Sequence, residues 1–409
     1  MNCSNSSVPP QSLWKQLGDD IVGEAYYDLS GISMSLSRDG SIVAIGASAN
    51  KGNGYYAGHA RIYEYDSSTK IWSQLGQDID GELAGDRAGN SLSLSSDGSI
   101  VAISSYKHDS QKGHVRVFQY SRSANIWTRL GQDIDGENTF DQSGFSVSLS
   151  SDGTVVAIGA KLNDGNADNA GHVRIYQYNA NSWDQIGDDI DGSYYDDEFG
   201  FSVSLSSTGT RVAIGAPEND AIGRTKLGSG HVRVYQYDGS VWNQLGQDIQ
   251  GESEKDYSGK AVSLSSDGSI VAIGAGSNDG NGDRAGHVRV YNCNSGTNLW
   301  TQRGDDIDGG GDDYFFGEKS VSLSADGSIL AVGAIGAGVA YDGAAYVYEY
   351  NSGSDSWSQL GETIEGDYYN YAGHEVALSA DGYTLAVSAV GSNFLTGAVS
   401  VYNADLTQL

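Results

Sequence analysis

Residues 146–192 read SVSLSSDGTVVAIGAKLNDGNADNAGHVRIYQYNANSWDQIGDDIDG. Four short segments with strand character follow one another here, each set off by turn residues. Ser146–Ser150 (SVSLS) alternates small polar with apolar side chains, the period of two expected of a strand with unlike faces. Asp152-Gly153 is a hairpin signal between two apolar runs. Val155–Ala160 (VVAIGA) is apolar throughout, as a strand covered on both faces must be. His172–Tyr178 (HVRIYQY) alternates again. Trp183–Ile190 (WDQIGDDI) supplies a fourth, outer strand, whose indole is expected to cover the following unit.

The same phrase recurs along the whole chain. Trp14, Trp72, Trp127, Trp183, Trp242, Trp300 and Trp357 are 55 to 59 residues apart, and most open a phrase such as WSQLGQDIDGE. Seven copies of four antiparallel strands describe an all-β fold, a seven-bladed β-propeller. An open solenoid usually has shorter units and distinct end caps, and neither is visible. The chain opens on an outer-strand phrase at Trp14 and ends after a third strand, Gly397–Tyr402. The N-terminal strand is therefore expected to complete the last blade and hide its edge. Residues 1–13 read as a disordered tail and 14–409 as one propeller, with inner strands starting near 31, 89, 144, 200, 259, 317 and 373. Leu406–Leu409 (LTQL) resembles the start of one more outer strand, a competitor for the same edge or the cut end of a longer chain.

Composition narrows the partners. Lys and Arg total 23 against 53 Asp and Glu, a net charge of −30. That balance offers no cationic footprint for nucleic acid or anionic membrane. No apolar run approaches the roughly 18 residues of a membrane span, so direct membrane insertion is not expected. The first ten residues lack the basic start and apolar stretch of a signal peptide, consistent with another route or a trimmed segment. Two cysteines, Cys3 and Cys293, are too few for a disulfide framework, and whether they pair stays open. Asn2 and Asn5 head short N-x-S sequons.

The fourth unit carries FGFSVSLS (Phe199–Ser206), VAIGAP (Val212–Pro217) and GHVRVYQY (Gly230–Tyr237). In these residues the chain resembles the FG-GAP repeats of integrin α-subunit propellers, and the strand pattern extends over nearly its whole length. The resemblance implies a seven-bladed ring used for adhesion and ligand recognition, outside the cell or at its surface. That family's calcium loops lie between the first and second strands. Here the connection shrinks to SSDGS, SSDGT or SSTGT, too short to wrap a cation.

What recurs in every unit belongs to the fold, and what departs from it is the better functional candidate. His59, His114, His172, His231 and His287 share one GH(V/A)R phrase, so they read as structural. Arg116, Arg174, Arg233 and Arg289 read as partners for nearby carboxylates. The acidic phrases, with Asp78, Asp80, Glu82 and Asp86 and then Asp133, Asp135, Glu137 and Asp141, suit either turns or calcium. A sharper pattern is D-x-N-x-D, in Asp164, Asn166 and Asp168 and again in Asp279, Asn281 and Asp283. Alternate oxygen ligands can converge on calcium, but polar Asn/Gly loops use the same residues, and both readings stay open.

Strand direction places these loops and the acidic phrases on one face. That face also carries Tyr26, Tyr27, Tyr55, Tyr56, Tyr194, Tyr195, Tyr314, Phe315, Phe316, Tyr368 and Tyr369. Exposed tyrosines suit a protein or glycan ligand. The expected function is therefore a non-catalytic recognition or adhesion module, with calcium as the cofactor its acidic loops would take. The alternatives are a structural interaction scaffold without metal and, third, a carbohydrate-active enzyme. For the last, the residues that break the pattern near the central opening are His374, Glu375, His108, Glu318 and Lys319.

Overall fold

The computed structural model describes residues 12–220 and 227–408, which form seven antiparallel sheets arranged as blades of a ring. The inner strands are Ser33–Leu36, Leu92–Leu94, Ser143–Leu149, Ser202–Leu205, Ala261–Leu264, Phe316–Leu323 and Ala372–Leu378. Second strands such as Ile42–Ala47 and Val155–Ala160 are buried along their whole length, as their apolar runs require. Among the described residues no helix is long and apolar enough to cross a membrane. Cys3, Asn2 and Asn5 lie outside the described residues, and Cys293 is a free, half-buried thiol.

Two local expectations change. The outer phrase is not one strand: Ser182–Gln185 and Ile190–Asp191 both pair with His172–Asn179, and Gly187 turns the chain between them at φ 72°. Each tryptophan also covers the preceding blade, not the following one. Trp127, in the second blade, donates its Nε1–H to the carbonyl of Leu75 at 2.8 Å and packs with Ile42, Ile62 and Leu75 of the first. All seven indoles make the equivalent bond, to Leu360, Leu17, Leu75, Leu130, Ile186, Leu245 and Arg303 in order. The recurring Trp is thus the lid of an inter-blade core whose polar edge is satisfied.

The serines of SVSLS also act between blades. Leu94, Leu149, Leu205, Leu264, Leu323 and Leu378 each donate a backbone N–H to a serine hydroxyl of the preceding inner strand, at 2.9 to 3.1 Å. Ala377 stands at the seventh position and offers no hydroxyl. The two glycines of the repeat meet across the same boundary: a Cβ on Gly159 would lie 2.1 Å from the carbonyl oxygen of Gly200. Close backbone approach, not turn geometry, demands glycine there.

Ring closure follows the expected route. Trp14–Gln16 pairs with Ala398–Ala404, and Ile21–Val22 pairs with the start of the same strand. Glu362 accepts the backbone N–H groups of Leu13 at 3.0 Å and Trp14 at 3.2 Å, and the Ser12 hydroxyl. Leu13, assigned to the tail from sequence, is buried between the last two blades. Leu406–Gln408 forms a 3₁₀ turn and does not compete for the edge, because Trp14–Gln16 already pairs along it.

The central channel has two unlike ends. At one, the S-x-D-G turns close a circle of backbone hydrogen bonds running Arg38, Ser96, Ser151, Ser207, Ser266, Ala325, Ala380 and back to Arg38, each N–H bonding the next carbonyl at 2.8 to 2.9 Å. The other end carries the side chains that differ from blade to blade.

Candidate functional site at the channel mouth

Each inner strand is entered through a glycine, and in six blades the residue after it lines the channel mouth; in the sixth, Glu318 is inserted after Gly317 and Lys319 takes the lining position. Around the ring the lining residues are Ile32, Asn90, Phe145, Phe201, Lys260, Lys319 and His374. Seven copies of one strand position thus present five kinds of side chain to a cavity of about 320 Å³. One half is aromatic: Phe145 packs on Phe201 at 5.0 Å and on Tyr106 at 5.8 Å, with Lys161 Nζ 4.4 Å from the Phe145 ring centre. The other half is ionic: Lys260 pairs with Glu318 at 2.7 Å, while Lys319, His374 and Glu375 complete the wall.

Electrostatics differ sharply within this small space. Lys161 is paired with Glu198 at 2.8 Å. Glu375 is half-buried in the cavity wall. Burial pushes its carboxyl up to about 8, against a hydrogen bond from Ser320 and the nearby Lys319 ammonium. Burial also pushes His374 down to about 4, helped by Lys319, which leaves a neutral imidazole. Glu218 is raised by burial and by Glu198, with Lys260 and Lys161 opposing. At neutral pH the mouth therefore holds a protonated acid, a neutral imidazole and an ammonium beside an aromatic wall.

The structure brings together His374, Glu375, Glu318 and Lys319 from the expected set. It adds Phe145, Phe201, Lys161 and Lys260, which the sequence reading passed over. Their signal was present: each lies at a fixed offset from a repeat glycine or from the end of a second strand. His108 does not line the cavity; it stacks on His114 at the start of the third strand, His114–Ser121, of the second blade.

The tyrosine loops lie on the face of this mouth: those of Tyr26, Tyr194, Tyr314 and Tyr368 lead into inner strands, and that of Tyr55 joins the second strand to the third on the same face. Tyr26, Tyr27, Tyr55, Tyr194, Tyr195, Tyr368 and Tyr369 are 49–74 % exposed. Tyr56, Tyr314 and Phe315 are half-buried, and Phe316 is fully buried, its ring packed against Tyr346. Tyr55 lies 4.1 Å from Tyr56, and Tyr368 lies 4.4 Å from Tyr369. Unforeseen in the sequence reading, Phe140 and Phe394 join the exposed aromatics at 61 % and 78 %.

In the D-x-N-x-D loops the side chains are spent on backbone groups. Asp164 accepts the N–H of Asn169 at 2.8 Å, and Asn166 donates to the carbonyl of Gly192 at 2.8 Å. Asp279 accepts the N–H of Arg284 at 2.8 Å, and Asn281 donates to Gly309 at 2.7 Å. Asp168 and Asp283 are exposed. The acidic phrases are occupied by the repeat arginines: Arg61 pairs with Glu24 and Asp78, Arg174 with Glu137, Arg233 with Asp248, and Arg289 with Glu252. The buried Asp28, Asp86, Asp141, Asp197 and Asp256 belong to the turns of the same phrases, where Asp86, for instance, accepts two backbone N–H groups.

No family model matches the chain, and no curated protein sequence does. Among solved structures it is similar to a proposed 6-phosphogluconolactonase from Bacteroides uniformis. The TM-score is 0.58 at 13% identity, over 82% of this chain and 86% of that one. In all, 622 solved chains match, and at this level of identity the likeness shows the fold alone. The chain has the seven-bladed β-propeller fold.

Proposed function

We propose that this propeller is a non-catalytic recognition module that binds a protein or glycan across the tyrosine-bearing face at the mouth of its channel. One observation carries the reading: exposed tyrosines from several blades share a face with the one end of the channel where the repeat diversifies its side chains. Wide, rigid aromatic surface at low conformational cost is what recognition surfaces use. The net charge of −30 favours neutral or cationic partners. A place in the FG-GAP family, and with it an extracellular or cell-surface setting, is part of the proposal and rests on the repeat motifs alone. Calcium is not required by it, because Asp164 and Asp279 already cap their own loops.

The test is a quadruple Tyr26, Tyr55, Tyr194 and Tyr368 to Ser variant, screened with the native protein on an array of neutral glycans and basic peptides. The variant should melt like the native protein, because these rings are exposed, and should lose binding more than about tenfold, the 1.4 kcal/mol scale of a single good contact. Undiminished binding would sink the reading. Absence of any ligand would favour a scaffold role.

A second reading, a hydrolase, is favoured by the protonated Glu375 beside His374 and Lys319. It draws on the name of the lactonase-like neighbour only as an analogy of fold. Turnover of a sugar lactone or polysaccharide, abolished by Glu375→Gln, would establish it over the first.

A further inference from the structure

The second blade departs from the repeat at His108, a position that does not line the mouth cavity. In four blades an asparagine follows the second strand by three residues: Asn50, Asn163, Asn219 and Asn278. Each amide donates to the buried aspartate of the adjoining loop, Asp28, Asp141, Asp197 or Asp256, at 2.8 to 3.2 Å. His108 takes this place in the second blade; its backbone carbonyl accepts from Gly113 as those asparagines' carbonyls accept from their own glycines. The left-handed turn that carries it, with Asp109, Ser110 and Gln111 at φ 46° to 64°, recurs at Asn393, Phe394 and Leu395 in the last blade. Loop length therefore sets the turn, and only the side chain is peculiar to this blade.

The exchange of asparagine for histidine replaces the amide–aspartate hydrogen bond with a second imidazole beside the unpartnered Nε2 of the repeat histidine, an atom also unpartnered in His231 and His287. His108 Nδ1 lies 3.1 Å from Asp86 Oδ1 but without hydrogen-bond geometry. Its ring stacks on His114 at 4.1 Å, with 20° between the planes. His114 is 1 % exposed, and its Nε2 has no partner. Glu82 completes the group: one ligand atom from each of Glu82, His108 and His114 lies within 4.8 Å of the other two. Similar Glu–His–Asp groups in other blades have a single histidine; arginine pairs with their carboxylates as it does with Glu82, so the second imidazole is what sets this group apart.

We infer that Glu82, His108 and His114 form a binding site for a divalent transition metal of the zinc class. Two imidazoles and one carboxylate are a donor set for such ions and not for calcium, which takes oxygen ligands. Because an ion must lie near the plane of each imidazole, the stacked rings open on binding, and the partly exposed His108 is the one free to turn. Asp86, buried beside His108, then acts as the outer carboxylate that orients the ligating ring. The surrounding charges are mixed. Arg116 lies 3.4 Å and Arg129 3.9 Å from Glu82, and Arg129 also pairs with Asp133. Asp80, Asp86 and Asp133 offset the two guanidinium groups. A fourth coordination position is left to water or to a ligand atom.

The decisive experiment uses the chelator-treated full chain, titrated with zinc chloride while the melting midpoint is followed. His108→Asn is the informative variant, because four blades fold with asparagine at this place. Zinc at a hundredfold excess over its dissociation constant should raise the native midpoint, and calcium chloride should not. His108→Asn should melt at or above the metal-free native protein and weaken zinc binding by more than about tenfold, the loss that even an outer carboxylate can cause. Anomalous scattering at the zinc edge should place one ion between the two histidines. An unchanged midpoint, an equal rise in His108→Asn, or an ion located elsewhere would each overturn the assignment.

Discussion

At the scale of the residue, the repeat is a set of contacts between blades more than within them. Gly159 shows this most simply. Its φ is unremarkable for any residue, yet a methyl group there would meet the Gly200 carbonyl oxygen at 2.1 Å. Backbone on both sides leaves nothing flexible to move aside. Gly159→Ala should therefore destabilise the protein by about 3 kcal/mol, the upper end of overpacking costs, read from denaturant unfolding. A loss below about 0.5 kcal/mol would mean that the blades can part without penalty. The sequence showed these glycines as a motif. It did not show that two of them face each other, since they lie 41 residues apart and touch only when blades stack.

At the scale of the element, the N-terminal strand is the one piece whose place depends on the other end of the chain. Trp14–Gln16 covers the edge of Ala398–Ala404, and Trp14 is 4 % exposed beneath its contact with Leu360. Removing residues 12–22 should expose that edge together with the apolar boundary of the last two blades. The truncated protein should melt earlier and self-associate through the open edge, visible by light scattering. A synthetic peptide of residues 12–22 should restore the monomer. Failure of the truncation to change either property would show that ring closure does not depend on this strand. The pairing was legible because the chain starts and stops at complementary phases of the repeat. The kink at Gly187 and the backward reach of the indoles were not, because propensity says nothing about which neighbour a side chain covers.

At the scale of the whole molecule, buried titratable groups set opposing pH dependences. His172, His231, His287 and His374 are held by burial at about 4, 3, 4 and 4, against an ordinary 6.5. Across that interval the unfolded chain binds the extra protons, so their contribution is lost as pH falls below 6.5. Glu375 is the reverse case, with a folded value of about 8 against 4.5. Here the folded protein holds the extra proton, so stability declines as pH rises from 4.5 through 8. Four histidines outweigh one glutamate below 6.5, and above it the glutamate acts without them. Melting midpoints taken in about 1 M salt, where screening over roughly 3 Å suppresses the self-repulsion of the −30 charge, should peak near pH 6.5. Glu375→Gln should flatten the limb above the peak and leave the acid limb intact. An unaltered alkaline limb would show that Glu375 is not the group responsible.

The sequence by itself determined the architecture: strand order, blade number and the manner of closure all follow from a local pattern repeated at a fixed interval. It also separated the repeated histidines and arginines from the residues that break the pattern. Only the tertiary structure decided what those exceptions form. Phe145, Phe201, Lys260, Lys319 and His374 lie 55 to 59 residues apart in succession and become neighbours because a ring brings one position of every blade to a common axis. His108 and His114 are near in sequence, but whether their rings meet depends on a left-handed turn and on a buried aspartate from the preceding loop. Local pattern fixes which residues are strands. The direction and company of their side chains are settled only when the blades pack.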